Sequence, residues 1–114
     1  MPRISYHELA RLSPAVREAL GDQPPNVSLI MAAASEPVYR GLGQLGSALI
    51  SGSSLPPVLR ELAILRVGYI SRSAYELFQH EALARHVGMS EAQIDAIRGG
   101  DAASPALDQA ERDV

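Results

Sequence analysis

Residues 55–88 read LPPVLRELAILRVGYISRSAYELFQHEALARHVG, and the fold class turns on this stretch. Pro56 and Pro57 fit a helix only in its first turn, so they mark a start. After them Leu59, Leu62, Ala63, Leu65, Arg66, Val67 and Ile70 leave the segment apolar on most sides, which predicts a central, buried helix over 55–70. A second helix, about 73–87, starts at Ser73 and stops at Gly88. Ser73 and Glu76 fit the S-x-x-E capping box, in which each residue satisfies the other's backbone N–H. The same helix offers a second reading. Ser73, Glu76 and His80 stand at i, i+3 and i+7 and share one face. A carboxylate beside an imidazole fixes its tautomer, as a general base requires.

Working outward, start and stop signals divide the rest of the chain into helices. Ser13 is an N-cap, Pro14 the first helical residue and Gly21 the end of a short helix, with a break at 22–25. Residues 26–34 (NVSLIMAAA) form a short apolar helix. Ser35 and Pro37 restart the chain, and residues 36–51 carry Val38, Leu42, Leu45 and Leu49 at helical spacing. Gly41, Gly43 and Gly46 each cost this helix about 1 kcal/mol relative to Ala, and they either loosen it or permit a close helix–helix approach. Beyond Gly88, Ser90 and Gln93 repeat the capping box, and Gly99 and Gly100 stop a helix of 90–98. Residues 101–114 read as the start of one more helix. Period-2 alternation with β-branched enrichment is missing. The fold class is all-α, about six helices with short connections.

Composition excludes several functions. The 114 residues are 46% hydrophobic but only 4% aromatic, so the core is built from Ala, Leu, Ile and Val. All ten basic residues are Arg, which removes lysine Schiff-base chemistry. They are dispersed along a chain of net charge −3, which gives no basic stripe for nucleic acid. With no Cys there is no disulfide scaffold, thiolate metal site or thiol redox chemistry. The N-terminus has no apolar h-region and no run reaches a membrane span, so the expected location is the cytoplasm, with no membrane partner.

Glu61 is the most telling single residue. It sits inside the apolar stripe of 55–70, where a charge rarely stays without a partner. If the two helices pack antiparallel, Glu61 faces His80 across the seam. Glu61, Glu76 and His80 as a metal triad would lack the usual second His or carboxylate at helical spacing, so no metal is expected. His86 points to a different face from His80, and His7 has no visible partner. Tyr69 and Tyr75 fit either packing or hydrogen bonding into a pocket.

The motifs LPPVLRELAIL, YE followed by His80, and ARHVGMSEAQIDAI together resemble the carboxymuconolactone decarboxylase family, within the superfamily of alkylhydroperoxidase D-like proteins. The match is strongest over 54–98 and extends back more weakly through 24–50. The resemblance implies a helical domain over 26–114, preceded by a docking segment over 1–25. It implies a homo-oligomer, trimer or hexamer, with its site between helices. It also implies further helices after Val114, so the chain is either a short form covered by its neighbours or an incomplete one. In the peroxidase branch a C-x-x-C pair precedes the His; those positions here are Ser73 and Glu76, with Glu61 as the assisting acid, and without thiols that activity is not supported. The decarboxylase branch uses Glu and His. The resemblance then makes His80, Glu76 and Glu61 catalytic, with Glu76 orienting His80. Arg60, Arg72, Tyr75 and Ser73 form the substrate side for a small carboxylate, with no cofactor. The competing reading is a non-catalytic helical oligomer in which Glu76 only caps its helix.

Overall fold

The computed structural model describes residues 9–22 and 24–114. His7 lies outside them. The chain forms two compact units, Met1–Gly52 and Ser53–Val114, and every regular element among the described residues is helical.

In the first unit a 3-10 turn (Leu9–Arg11) precedes α1 (Pro14–Leu20), α2 (Asn26–Ala34) and α3 (Glu36–Ser51). Ser13 caps α1 as its sequence suggests, its Oγ accepting the N–H of Val16. The same hydroxyl donates to Glu36 Oε2 at 3.0 Å and so ties the start of α1 to the start of α3. Arg40, one turn on, donates twice to Glu36 Oε1. Arg40 first, and Ser13 after it, hold the Glu36 carboxyl below its ordinary pKa. Val16 and Ala32 are buried, whereas α3 buries no residue. Its row of Val38, Leu42, Leu45 and Leu49 stays open, and a methyl added at Gly41, Gly43 or Gly46 would meet nothing within 4 Å.

The second unit contains α4 (Pro57–Ser71), α5 (Ala74–His86), α6 (Glu91–Gly99) and α7 (Gln109–Asp113). Pro57 opens α4 at its first position. The helix closes at Arg72, which takes a left-handed conformation (φ 54°) so that its N–H reaches the carbonyls of Gly68 and Tyr69. Ser73 immediately caps α5, so only two residues separate an antiparallel pair. Gly68 is what lets the pair close. A Cβ there would lie 3.0 Å from Leu77 Cδ2, tighter than side chains ordinarily pack. Leu62, Leu65, Ala84, Met89, Ile94, Ala96, Ile97 and Leu107 form the core, with Val58, Leu77 and Val87 against it.

Two expectations change. The helix over 55–70 is not buried all round within its unit: Leu62 and Leu65 are covered, while Val67 and Ile70 are 65% and 79% exposed. Three partner helices cover one side of α4 and leave the other open. Residues 101–114 also close into a short helix, because Asp108 and Glu111 form a complete capping box and Glu111 is buried. No described helix is long and apolar enough to cross a membrane.

The close approach at Gly68 is directly testable. Gly68→Val forces Leu77 and the backbone of α5 away, and a loss of about 1–3 kcal/mol is expected in urea denaturation.

Candidate active site

The antiparallel pairing of α4 and α5 sets Glu61 against His80. Glu61 is 2% exposed, and its Oε2 lies 2.7 Å from His80 Nδ1. Its other oxygen accepts from Arg60 Nε at 3.1 Å. A buried carboxylate is costly unless its oxygens are paired, and here each has a donor from a side chain that is itself mostly covered. A carboxylate oxygen accepts from Nδ1 in such a bond, and Nε2 is the ring nitrogen left facing Glu76.

Glu76 stands on the opposite edge of the ring, its Oε2 3.6 Å from His80 Nε2, with about half of its side chain exposed. It does not complete the capping box. Ser73 Oγ does accept the N–H of Glu76, at 3.5 Å. The reciprocal bond is blocked because the Ser73 N–H already donates to the Gly68 carbonyl, 3.0 Å away, as α4 ends. Ending one helix thus frees the Glu76 carboxylate to face the imidazole. A groove of about 320 Å3 adjoins it, lined by Ala63, Ile64, Val67, Gly68 and Ser71, with Glu76 on its wall.

The structure therefore gathers Glu61, His80, Glu76 and Arg60. Ser73 touches this group only through the Glu76 backbone N–H that it caps, and neither Arg72 nor Tyr75 hydrogen-bonds to it among the described residues. Ser73 caps α5, Arg72 ends α4 with an exposed side chain, and Tyr75 is exposed on the first turn of α5. The two carboxylates flank His80 on opposite edges and do not converge on one point, and no described group of three or more acids and histidines is arranged to hold a metal ion.

Sequence reasoning missed a second polar cluster. Tyr69 Oη donates to Glu81 Oε1 at 2.5 Å and accepts from Arg98 Nε at 3.2 Å. Arg98 also reaches Glu81 and Asp95 and lies 5.8 Å over the Tyr69 ring. The cluster joins three helices, so no spacing within one helix reveals it. Burial first, then the bond to Glu81, push the Tyr69 phenol above its ordinary pKa. The Tyr69 hydroxyl first, with Arg98 and Arg85 behind it, holds Glu81 below the usual carboxylate value against the effect of burial.

The antiparallel pair α4–α5 thus holds a buried carboxylate hydrogen-bonded to an imidazole, with Glu76 standing between that imidazole and an apolar groove. The chain belongs to the carboxymuconolactone decarboxylase family, whose model matches residues 36–113, well over half of its length. No curated protein and no solved structure matches it.

Two stability measurements probe these clusters. Glu61→Ala removes the carboxylate that His80 and Arg60 share, and a loss of about 3 kcal/mol is expected in urea, with Glu61→Gln losing less. Tyr69→Phe is expected to cost about 1 kcal/mol near neutrality. Glu81 is more acidic folded than unfolded, so its contribution is complete above the unfolded pKa and lost as pH falls through the folded one. The raised Tyr69 contributes below its unfolded pKa and loses this as pH rises through the folded value. The gap between wild type and Tyr69→Phe should therefore narrow in acid, which unfolding at a series of pH values reads directly.

Proposed function

We propose that the protein is a cofactor-free acid–base catalyst that decarboxylates, or acts on the lactone ring of, a small organic acid. The observation that carries this reading is the buried Glu61–His80 hydrogen bond, with Nε2 turned toward Glu76, which itself lines the groove. Glu61, rather than Glu76, orients the imidazole, because among the described residues its carboxylate is the one within hydrogen-bond distance of the ring. The substrate's apolar body lies along Ala63, Ile64 and Val67. Of the two arginines considered for its carboxylate, Arg60 donates to Glu61. Arg72 follows Ser71 at the groove's end with its side chain exposed, and takes the clamping role.

Decarboxylation breaks the bond between the carboxylate carbon and its neighbour, and CO2 leaves. The electron pair stays on that neighbour, delocalised into the adjacent carbonyl as an enolate. A proton from water passes through half-exposed Glu76 to Nε2 of His80 and from there to that carbon, leaving hydroxide in solution and the ring as it began. Thiol peroxidation has no residue to carry it, since the 114 residues include no Cys.

The test is CO2 release from a panel of carboxylated lactones and keto acids. His80→Gln is expected to lower kcat/KM by about 10²–10⁴-fold with the fold intact. Glu61→Gln should act mainly on kcat and Arg72→Gln mainly on KM. Turnover that survives His80→Gln unchanged, or none on any member of the panel, would overturn the reading.

The open apolar side chains favour assembly as well. Val67, Ile70 and Phe78 are 65–79% exposed, which a stable monomer rarely tolerates as a group, and they support a homo-oligomer, trimer or hexamer. Sedimentation equilibrium should show an assembly that Ile70→Glu with Phe78→Glu dissociates; a monomeric wild type sinks this idea.

A further inference from the structure

Arg66 stands five residues after Glu61, about 140° around α4 at 100° per residue, and so faces away from the His80 site. It lines a separate cleft of about 350 Å3 between α4, the end of α6 and the segment leading into α7. The walls are apolar: Leu62, Ile97 and Leu107 are buried, and Ile70 stands among the lining residues. Two guanidinium groups and two carboxylates also line it.

Three of those four charges already have partners. Arg98 is held by Asp95, Glu81 and Tyr69. Glu111 accepts from Gln93 Nε2 at 2.6 Å with one oxygen and from the Asp108 N–H with the other. Asp101 accepts the N–H of Ala103. Arg66 alone has no hydrogen bond or ion pair with any described residue, although it is half-buried. The backbone offers an anion little here. The N–H groups of Gly100, Asp101 and Ala102 donate to the carbonyls of Ile97, Ala96 and Gly100.

We infer that this cleft binds a small monocarboxylate with a short apolar body. The carboxylate pairs with the Arg66 guanidinium, whose planar fork matches two oxygens. The body covers Leu62, Ile97 and Leu107. One cation unpaired among the described residues, set between apolar walls and two carboxylates, fits a monoanion and disfavours a phosphate, which carries more charge and more oxygens to satisfy.

The test is titration of hexanoate into the 15N-labelled full chain, read at the amides of Ile97, Gly99, Gly100 and Leu107. Saturable shifts confined to these amides are expected. Hexanamide, of the same length without the charge, should bind about tenfold or more weakly, as should hexanoate to Arg66→Gln. Inorganic phosphate should leave the four amides unmoved. Equal effects of hexanoate and hexanamide, unchanged binding in Arg66→Gln, or no saturable shift would each overturn the assignment. Shifts of the same amides on simple dilution would instead make the cleft an interface between copies, and overturn it too. Should Arg66→Gln fail to fold, the comparison of the two ligands on the wild type decides alone.

Discussion

A carboxylate with 2% of its surface exposed has to find its countercharges inside the protein, and that requirement on Glu61 organises the second unit. One donor comes from the neighbouring Arg60 and the other from His80, nineteen residues away. For His80 to reach it, α4 and α5 must lie close along their length. Gly68 gives Leu77 the room, and Arg72 turns the chain back within two residues by accepting a left-handed backbone. The same turn takes the Ser73 N–H for the Gly68 carbonyl, and so leaves Glu76 beside the imidazole. Pairing, turn and site are one mechanical arrangement.

Much of the helical framework was legible because its signals are local. Ser13, Pro14 and Gly21 bound α1 as written, and Ser90 with Gln93 forms the capping box that their spacing suggests. Glu61 opposite His80 also followed from a physical premise, since a charge in an apolar stripe needs a partner. What stayed hidden depends on other elements. An apolar helix shows that its faces favour cover, without showing which faces its neighbours reach, so the sequence does not separate exposed Val67 and Ile70 from buried Leu62 and Leu65. The Ser73–Glu76 motif is real, but the end of the preceding helix decides its outcome. Arg60 escaped notice as a partner of Glu61 because adjacent residues on a helix do not normally face each other. Tyr69, Glu81 and Arg98 come from three helices and have no common period.

α4 is chemically two-sided. Toward α5 it shows a buried acid whose charge is matched by its surroundings. Toward α6 and α7 it shows a half-buried guanidinium with no partner among the described residues.

The two-residue link between α4 and α5 has a kinetic side. Contacts between residues close in sequence require little loop-closure entropy, and each doubling of a loop adds only about 0.6 kcal/mol. The nineteen-residue separation of Glu61 and His80 spans two helices joined by one tight turn, and both residues fall within Ser53–Val114. Chains dominated by such near contacts reach their native topology quickly. The acid–imidazole pair is thus assembled by a single local closure, without waiting for distant parts of the polypeptide to meet.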